Sequence, residues 1–358
     1  MRIVSIQHQV YGIALGDIVS FSRWFAGHDR WVVRRIYGAT IIRPIALVPG
    51  IRFRWVRLFT YCGYACLLRL YLALVYPGNR KRLWFFEPFH MPILLTVFSG
   101  YTKIYDCVDY FPGFNAQTKR EHDIVMARAS YVFANSGSLA KKLKQTRSDV
   151  FRVPLGIAEE LFHKRPSPIR PKKKTFIVGY IGSISDRIDF PLLRIIVQRL
   201  PDVRFEFVGP MEPNVFDTRG QAMNEMKQIL HFSNVHWERW VSKNEIPEFL
   251  ARVDVGLIPY RVDTDFNRYC FPMKTLEYFA MGRPIVTTNI AALAVYSQKG
   301  LVRIAQNANE FIRAIQFYRT NGWKQKQQQT QRLEAARHSW KNKVNMIISV
   351  LNSAGPGQ

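Results

Sequence analysis

"NRYCFPMKTLEYFAMGRPIV", residues 267–286, reads as a loop, a helix opened by proline, a glycine stop and a strand. Pro272 suits the first turn of a helix, where its missing N–H costs nothing. Leu276, Phe279 and Ala280 give that helix an apolar side, and Gly282 ends it ahead of "PIVTT". A helix that feeds a short apolar strand is half of a parallel α/β repeat. The same helix carries Lys274 and Glu277 one turn apart. On an exposed helix such a pair is a solvated contact worth ~0.2–0.5 kcal/mol. In a segment apolar enough to be buried, it asks for a ligand that uses both charges.

The alternation extends in both directions along the chain. Strand-like runs in the second half are "FIVGYIGSI", "VRFEFVG", "VHWERW", "VGLIPY" and "PIVTT". In the first half they are "RIVSIQ", "WVVRRI", "RLWFFE", "TKIYDCV" and "YVFANS", and helical patterns separate them. Such alternation predicts an α/β fold built on parallel sheets. A chain of 358 residues exceeds one ordinary core and fits two domains of roughly 150 residues each. Residues 158–174 contain prolines and a basic run without apolar periodicity, so they are expected to link the two. Residues 151–162 read as a strand and glycine turn that hinge into this linker. The polar stretch after Phe317 still looks helical, and the chain ends in a frayed tail.

Lys and Arg number 51 against 26 Asp and Glu, a formal charge of +25. That surplus calls for an anionic partner: nucleic acid, a membrane surface or phosphorylated substrates. Cys62, Cys66, Cys107 and Cys270 form no C-x-x-C pair, so buried reduced thiols are expected in place of a zinc site or disulfides. No signal peptide is read at the N-terminus. Residues 58–76 are long and apolar enough to raise the question of a membrane span, but Arg69 stands in their middle. A buried or membrane-surface helix is expected there. The run "RFRWVRLF", 52–59, alternates cations and aromatics like an interfacial anchor, or like an ordinary amphipathic surface.

In parallel α/β folds, ligands bind beyond the carboxyl ends of strands. In "VGYIGSISDRIDF", 178–190, Gly182 would let a ligand approach the backbone and Ser183 could donate to a phosphate oxygen; the bland alternative is a simple turn. Lys274 offers a point charge to a phosphate, and Glu277 could accept from both hydroxyls of a ribose. In "IYDCVDYFPGF", 104–114, Asp106 and Asp109 stand just past a strand. One can take a proton from an attacking hydroxyl while the other caps a helix or ties the loop. Asp109 is given the first role and Asp106 the second. His8 is expected to be structural, and His122 to lie beside Glu121 in the helix after the aspartate loop.

The ordered set "IYDCVDYF", Glu121, "ASYVFANSGSLAKKL", "VFRVPLGIAEELF", "VGYIGSISDRIDFPLL", "FVGP", "VDVGLIPY", "PMKTLEYFAMGRPIVTT" and "ARHSW" resembles bacterial GT-B glycosyltransferases. The nearest groups are the teichuronic-acid-type family-1/family-4 transferases and, more distantly, the xanthan glucuronosyltransferase. The resemblance spans roughly residues 80 to 345 and rests on order and spacing. It implies two Rossmann-like domains facing across a cleft: 1–157 for the acceptor and 175–335 for the nucleotide sugar. A last helix, 336–352 around Trp340, would pack back on the first domain.

The resemblance also implies a UDP- or GDP-linked sugar donor as co-substrate, with no cofactor and no metal. It places Lys274 on the donor diphosphate, Glu277 on its ribose, and Gly182, Ser183, Tyr260, Pro272 and Met273 around it. It aligns Asp109 with the catalytic base. No D-x-D motif of the metal-dependent transferases is read. Retaining members commonly carry a further glutamate eight residues before the second; Tyr269 stands at that position here. The implied acceptor is a lipid-linked glycan at an anionic inner-membrane surface, reached by a cytoplasmic, peripheral enzyme of polysaccharide biosynthesis. The rivals are a nucleic-acid-binding protein and a GT-B sugar-nucleotide epimerase. Against the first, the cations are scattered through both halves and no nucleic-acid module is recognisable.

Overall fold

The computed structural model describes residues 11–13, 19–20, 33–36, 39–43, 45–46, 53–78, 81–162, 175–211, 221–239 and 241–353. The expected strand "RIVSIQ", His8 and residues 163–174 of the expected linker lie outside them. The described chain forms two compact units. One comprises Met1–Ala134, Leu143–Phe151 and Ile347–Gln358; the other comprises Asn135–Lys142 and Arg152–Met346.

The second unit is built on six parallel strands in the order Val235–Glu238, Arg204–Val208, Ile177–Ile181, Val255–Ile258, Ile285–Thr287, Arg303–Ile304. Numbered along the chain this is 3-2-1-4-5-6, the doubly wound order. Its two central strands, Ile177–Ile181 and Val255–Ile258, are buried throughout, which is why they read as unbroken apolar runs. Chain direction across the sheet reverses between them, so the loops after Ile181 and after Ile258 border the topological crevice. Phe190–Arg199 packs Phe190, Leu193, Ile196 and Val197 inward, and Asp189 caps it by accepting from the Leu192 N–H at 3.0 Å. From the other side of the sheet's centre, the Tyr278 hydroxyl donates to the Gly179 carbonyl at 2.8 Å.

The helix of the opening stretch runs Lys274–Ala280 with Met273 as its N-cap. Pro272 therefore stands one residue ahead of the cap and outside the first turn; its carbonyl accepts from the Thr275 N–H. Gly282 does end the helix. It has φ +63°, and the Gly282 and Arg283 N–H groups donate to the Phe279 and Tyr278 carbonyls at 2.9 Å, a Schellman closure.

The first unit contains a four-stranded sheet in the order Arg82–Phe85, Thr102–Cys107, Tyr131–Ala134, Val150–Arg152. The three strands expected there pair in parallel. Val33–Ile36 pairs antiparallel with Ala39–Ile42, which departs from the all-parallel expectation. Only two residues separate those strands, too few for a parallel crossover. A 22-residue helix, Arg54–Val75, covers the stretch whose apolar length raised the question of a span.

Candidate functional site

Lys274 is the centre of the site. Its side chain is buried, and its ammonium lies 3.6 Å from the Tyr180 ring centroid and 4.8 Å from that of Tyr260. Among the described residues it has no carboxylate within ion-pair distance. Burial drives its pKa well below the ordinary lysine value; Glu277 opposes this and Arg187 adds to it. Cation–π contact at a desolvated site is worth about 2 kcal/mol, short of the several kcal/mol that burying an ammonium costs. An anion seated beside Lys274 would remove that deficit.

The loops around Lys274 are tied by backbone bonds. Beyond Ile181, the Gly182 N–H donates to the Val208 carbonyl, and the Tyr180 hydroxyl donates to the Ser183 carbonyl at 2.8 Å. Gly182 has φ +114°, where side chains are strained, and a Cβ there would lie 3.3 Å from the Lys274 Nζ. The Asp189 N–H donates to the Pro259 carbonyl and the Arg261 N–H to the Arg187 carbonyl, both at 2.8 Å. These two bonds flank Tyr260 and fix it beside the 183–189 loop, and the Thr288 hydroxyl holds the Tyr260 carbonyl at 2.7 Å.

Glu277 is half-buried one turn beyond Lys274. Desolvation raises its pKa, while Lys274 and Lys243 pull it down. Met273 is exposed and Pro272 buried. The structure thus gathers Gly182, Tyr260, Lys274 and Glu277 in one unit, with the exposed Ser183 on the rim loop. Three residues were missed from the sequence. Tyr180 read as a strand core residue, Arg187 lay in the 178–190 stretch of which only Gly182 and Ser183 were singled out, and Lys243 lay in an unremarkable turn. Arg187 stacks over Phe266 at 4.2 Å and reaches Lys274 electrostatically, a second cation at the same place. Tyr269 closes the short helix Asp265–Tyr269 with the Lys142 ammonium 5.3 Å from its ring centroid.

Asp109 belongs to the first unit. It is half-buried two residues past Thr102–Cys107, and its carbonyl accepts from the Phe111 N–H and the Cys107 thiol. Burial, and then the Asp109 charge, raise the pKa of Glu87, a carboxyl just past the neighbouring strand and missed from the sequence. Asp106 lies inside the strand, not past it, and is fully buried; the helix Ala116–Arg128 that follows is capped by Asn115, which accepts from the Thr118 N–H at 2.8 Å. Glu121 and His122 lie on that helix, both buried. Glu121 takes a 2.5 Å ion pair from Arg54, and His122 Nδ1 meets the Tyr105 hydroxyl at 3.2 Å. The cysteine expectation also needs correcting, since Cys107 and Cys270 are buried but Cys62 is half-buried and Cys66 exposed. Among the described residues no group of His, Cys, Asp and Glu could hold a metal ion.

Residues 175–321 match the family model described as glycosyl transferases group 1. A relative from Bacillus subtilis, named as the teichuronic acid biosynthesis glycosyltransferase TuaH, is 28% identical over 233 residues, covering 60% of this chain and 56% of its own. A protein of the Klebsiella pneumoniae cps region is 21% identical over 149 residues, covering 41% and 40%. The chain spans about half the length of the curated relatives it matches. Among solved structures, a sucrose-phosphate synthase from Thermosynechococcus elongatus superposes with a TM-score of 0.75 at 14% identity, covering 97% of this chain and 99% of that one. Anabaena Alr3699/HepE, solved with UDP-glucose, superposes at 0.69 and 14% identity, covering 96% and 99%. These likenesses show the fold, an α/β GT-B architecture.

Proposed function

We propose that this chain, whose residues 175–321 match the glycosyl transferases group 1 model, is a glycosyltransferase. It moves a sugar from a nucleoside-diphosphate sugar to a lipid-linked glycan acceptor in cell-surface polysaccharide synthesis. One observation carries the proposal: an ammonium buried at the switch point of a doubly wound sheet, faced by two aromatic rings and, among the described residues, by no ion-paired carboxylate. A diphosphate supplies the missing anion. The UDP-glucose held by the Anabaena structure and the teichuronic acid named for the Bacillus relative support a UDP-linked donor, with GDP as the alternative, and a surface glycan.

In this mechanism the acceptor hydroxyl oxygen attacks the anomeric carbon while the bond from that carbon to the diphosphate oxygen breaks. Asp109 takes the hydroxyl proton. Lys274, helped by Arg187, offsets the charge that develops on the departing diphosphate, so no metal ion is assigned to the step. Glu277 accepts from the ribose hydroxyls, Gly182 and Ser183 leave room for and bond to the phosphates, and Tyr260, Pro272 and Met273 shape the wall. Tyr269 in place of a first glutamate, together with Asp109 as base, favours inversion at the anomeric carbon. The donors are cytoplasmic metabolites and the acceptor is membrane-borne, so the enzyme works at the inner membrane face.

A melting-temperature panel of UDP, GDP, ADP and dTDP, free and as sugar conjugates, tests the proposal. A ligand at a hundred times its Kd adds about 2.7 kcal/mol of stability, so the correct donor will stand out. Indifference to every nucleoside diphosphate, with a salt-sensitive response to oligonucleotide, would favour the nucleic-acid-binding rival.

A further inference from the structure

The long run of chain in the second unit begins at Arg152 and ends at Met346, and His338 laces its beginning to its end. The Ile157 N–H donates to the His338 carbonyl at 2.6 Å, and Ile157 pairs in parallel with Ser339. The His338 ring is buried, with Nδ1 3.3 Å from the Leu155 carbonyl and Nε2 3.3 Å from the Tyr296 hydroxyl. It also lies almost parallel to the Phe271 ring, at 18° and a centroid distance of 6.2 Å. Tyr296 meets Phe271 edge-on at 6.4 Å and Phe279 at 5.1 Å. Phe279 sits on the helix Lys274–Ala280, and Phe271 on the segment that leads into it. One imidazole therefore holds together the backbone at Leu155 and Ile157, the Phe271 segment and, through Tyr296, the helix that carries Lys274 and Glu277.

We propose that His338 is a positioning residue for the donor site, a clasp that fixes the Lys274 helix only as the neutral tautomer with its proton on Nδ1. A carbonyl oxygen can only accept, so the nitrogen facing Leu155 carries the proton. Nε2 is then the acceptor for the Tyr296 hydroxyl. Protonation puts a second N–H at Nε2, where that hydroxyl was donating. The Tyr296 O–H must turn away, and the new N–H is drawn to Glu334, whose Oε1 lies 3.7 Å from Nε2. The bond lost is the one that sets Tyr296 against Phe271 and Phe279. That this helix holds a sugar donor rests on the function proposed above; the clasp itself does not.

The surroundings of the ring favour the neutral form. Burial lowers the His338 pKa; the bond to the Leu155 carbonyl and the Glu334 carboxylate raise it, and Arg152 lowers it. Lys299 and Arg337 lie 4.0 and 3.4 Å from Glu334 and blunt its pull on the imidazole. Tyr296 is the titratable neighbour on the helix Ala294–Gln298, while Leu155, Ile157 and Phe271 bring no charge. Because the folded value lies below the ordinary histidine value of about 6.5, the clasp is whole above that pH and opens as pH falls through the folded value. Donor affinity should fall with it.

Two measurements on the full chain test this. Long-range proton–nitrogen spectra of histidine-labelled protein, with His338→Asn assigning the signal, read the tautomer without any nucleotide. The clasp predicts a neutral ring protonated on Nδ1 at neutral pH; a proton on Nε2, or a charged ring, overturns it. Calorimetric titration of UDP-glucose from neutral pH down to about 5 gives the second reading. The sugar conjugate is the probe because the terminal phosphate of a free nucleoside diphosphate itself titrates near 6. Parental affinity should weaken by up to about tenfold for each pH unit below the His338 pKa, and Glu334→Gln should move that fall to lower pH. His338→Asn keeps a donor for the Leu155 carbonyl but cannot titrate, so the fall should vanish apart from the share of Glu277, whose carboxyl pKa burial raises. A slope kept in full by His338→Asn overturns the proposal. Should that variant not fold, Glu334→Gln decides, since it leaves every clasp atom in place, and an unmoved fall overturns the proposal. Absence of UDP-glucose binding by the parent at neutral pH would count against the proposed function, and the spectrum would still uphold or overturn the clasp.

Discussion

Lys274 pays for its position as long as its site is empty. Burial lowers its pKa from the ordinary lysine value, so in the window below 10.5 and above that depressed value the unfolded chain binds a proton the folded chain does not. Stability therefore rises with pH through the window and is lower beneath it. Lys274→Met should raise the melting temperature at neutral pH, with an advantage that shrinks as pH climbs towards 10.5; a lower melting temperature at neutral pH would show the ammonium to be satisfied in the empty protein. A bound diphosphate should raise the Lys274 pKa again. Binding then takes up a proton between the two values, and affinity falls as pH rises through that interval. Calorimetry in buffers of different ionisation enthalpy reads the uptake directly. Asp109→Asn keeps the shape and removes the proton acceptor, so turnover should drop by about 10²–10⁴ with donor affinity nearly intact. Near-parental turnover in that variant would place the base elsewhere.

The elements of the second unit were legible because parallel strands buried on both faces write themselves as apolar runs ending in glycine or proline. "FIVGYIGSI" and "VGLIPY" are the two that border the site. The sixth strand escaped because it is two residues long, Arg303–Ile304, with an arginine in it. Lys274 and Glu277 could be singled out by charge in an apolar helix, but nothing in one dimension sets Tyr180 beneath Lys274. That contact depends on a loop from one strand being tied to a loop from another 78 or so residues on, and parallel topology hides such separations from local pattern. In the first unit, the run "TKIYDCV" marked the strand, yet Asp106 was set just past its end; the strand Thr102–Cys107 runs one residue beyond it. The helix Ala116–Arg128 offers its own test. Burial lowers the His122 pKa to about 4, so the folded unit keeps it neutral while the unfolded chain protonates near 6.5. Stability should fall as pH drops through that interval, by on the order of 3 kcal/mol, and His122→Gln should flatten the acid limb of a melting-temperature profile. An unchanged limb would mean that the ring finds water or a carboxylate when protonated.

Across the whole molecule, the charge of +25 falls into local tasks. In the function proposed above, Lys274 and Arg187 meet the donor diphosphate in the second unit. Ion pairs such as Arg147–Asp149 and Arg319–Asp202 add nothing to that surplus and contribute little individually. The central claim is that Lys274 and Glu277 hold a nucleoside diphosphate. It is tested most directly by isothermal titration of the nucleotide giving the largest melting shift into the parent, Lys274→Met and Glu277→Ala, all at one ionic strength. Charge-assisted bonds worth about 1.5–3 kcal/mol predict affinities roughly 10- to 150-fold weaker in each variant, with Glu277→Ala also losing its preference for ribose over deoxyribose. Parental affinity in both variants, with the ribose preference unchanged, would contradict it.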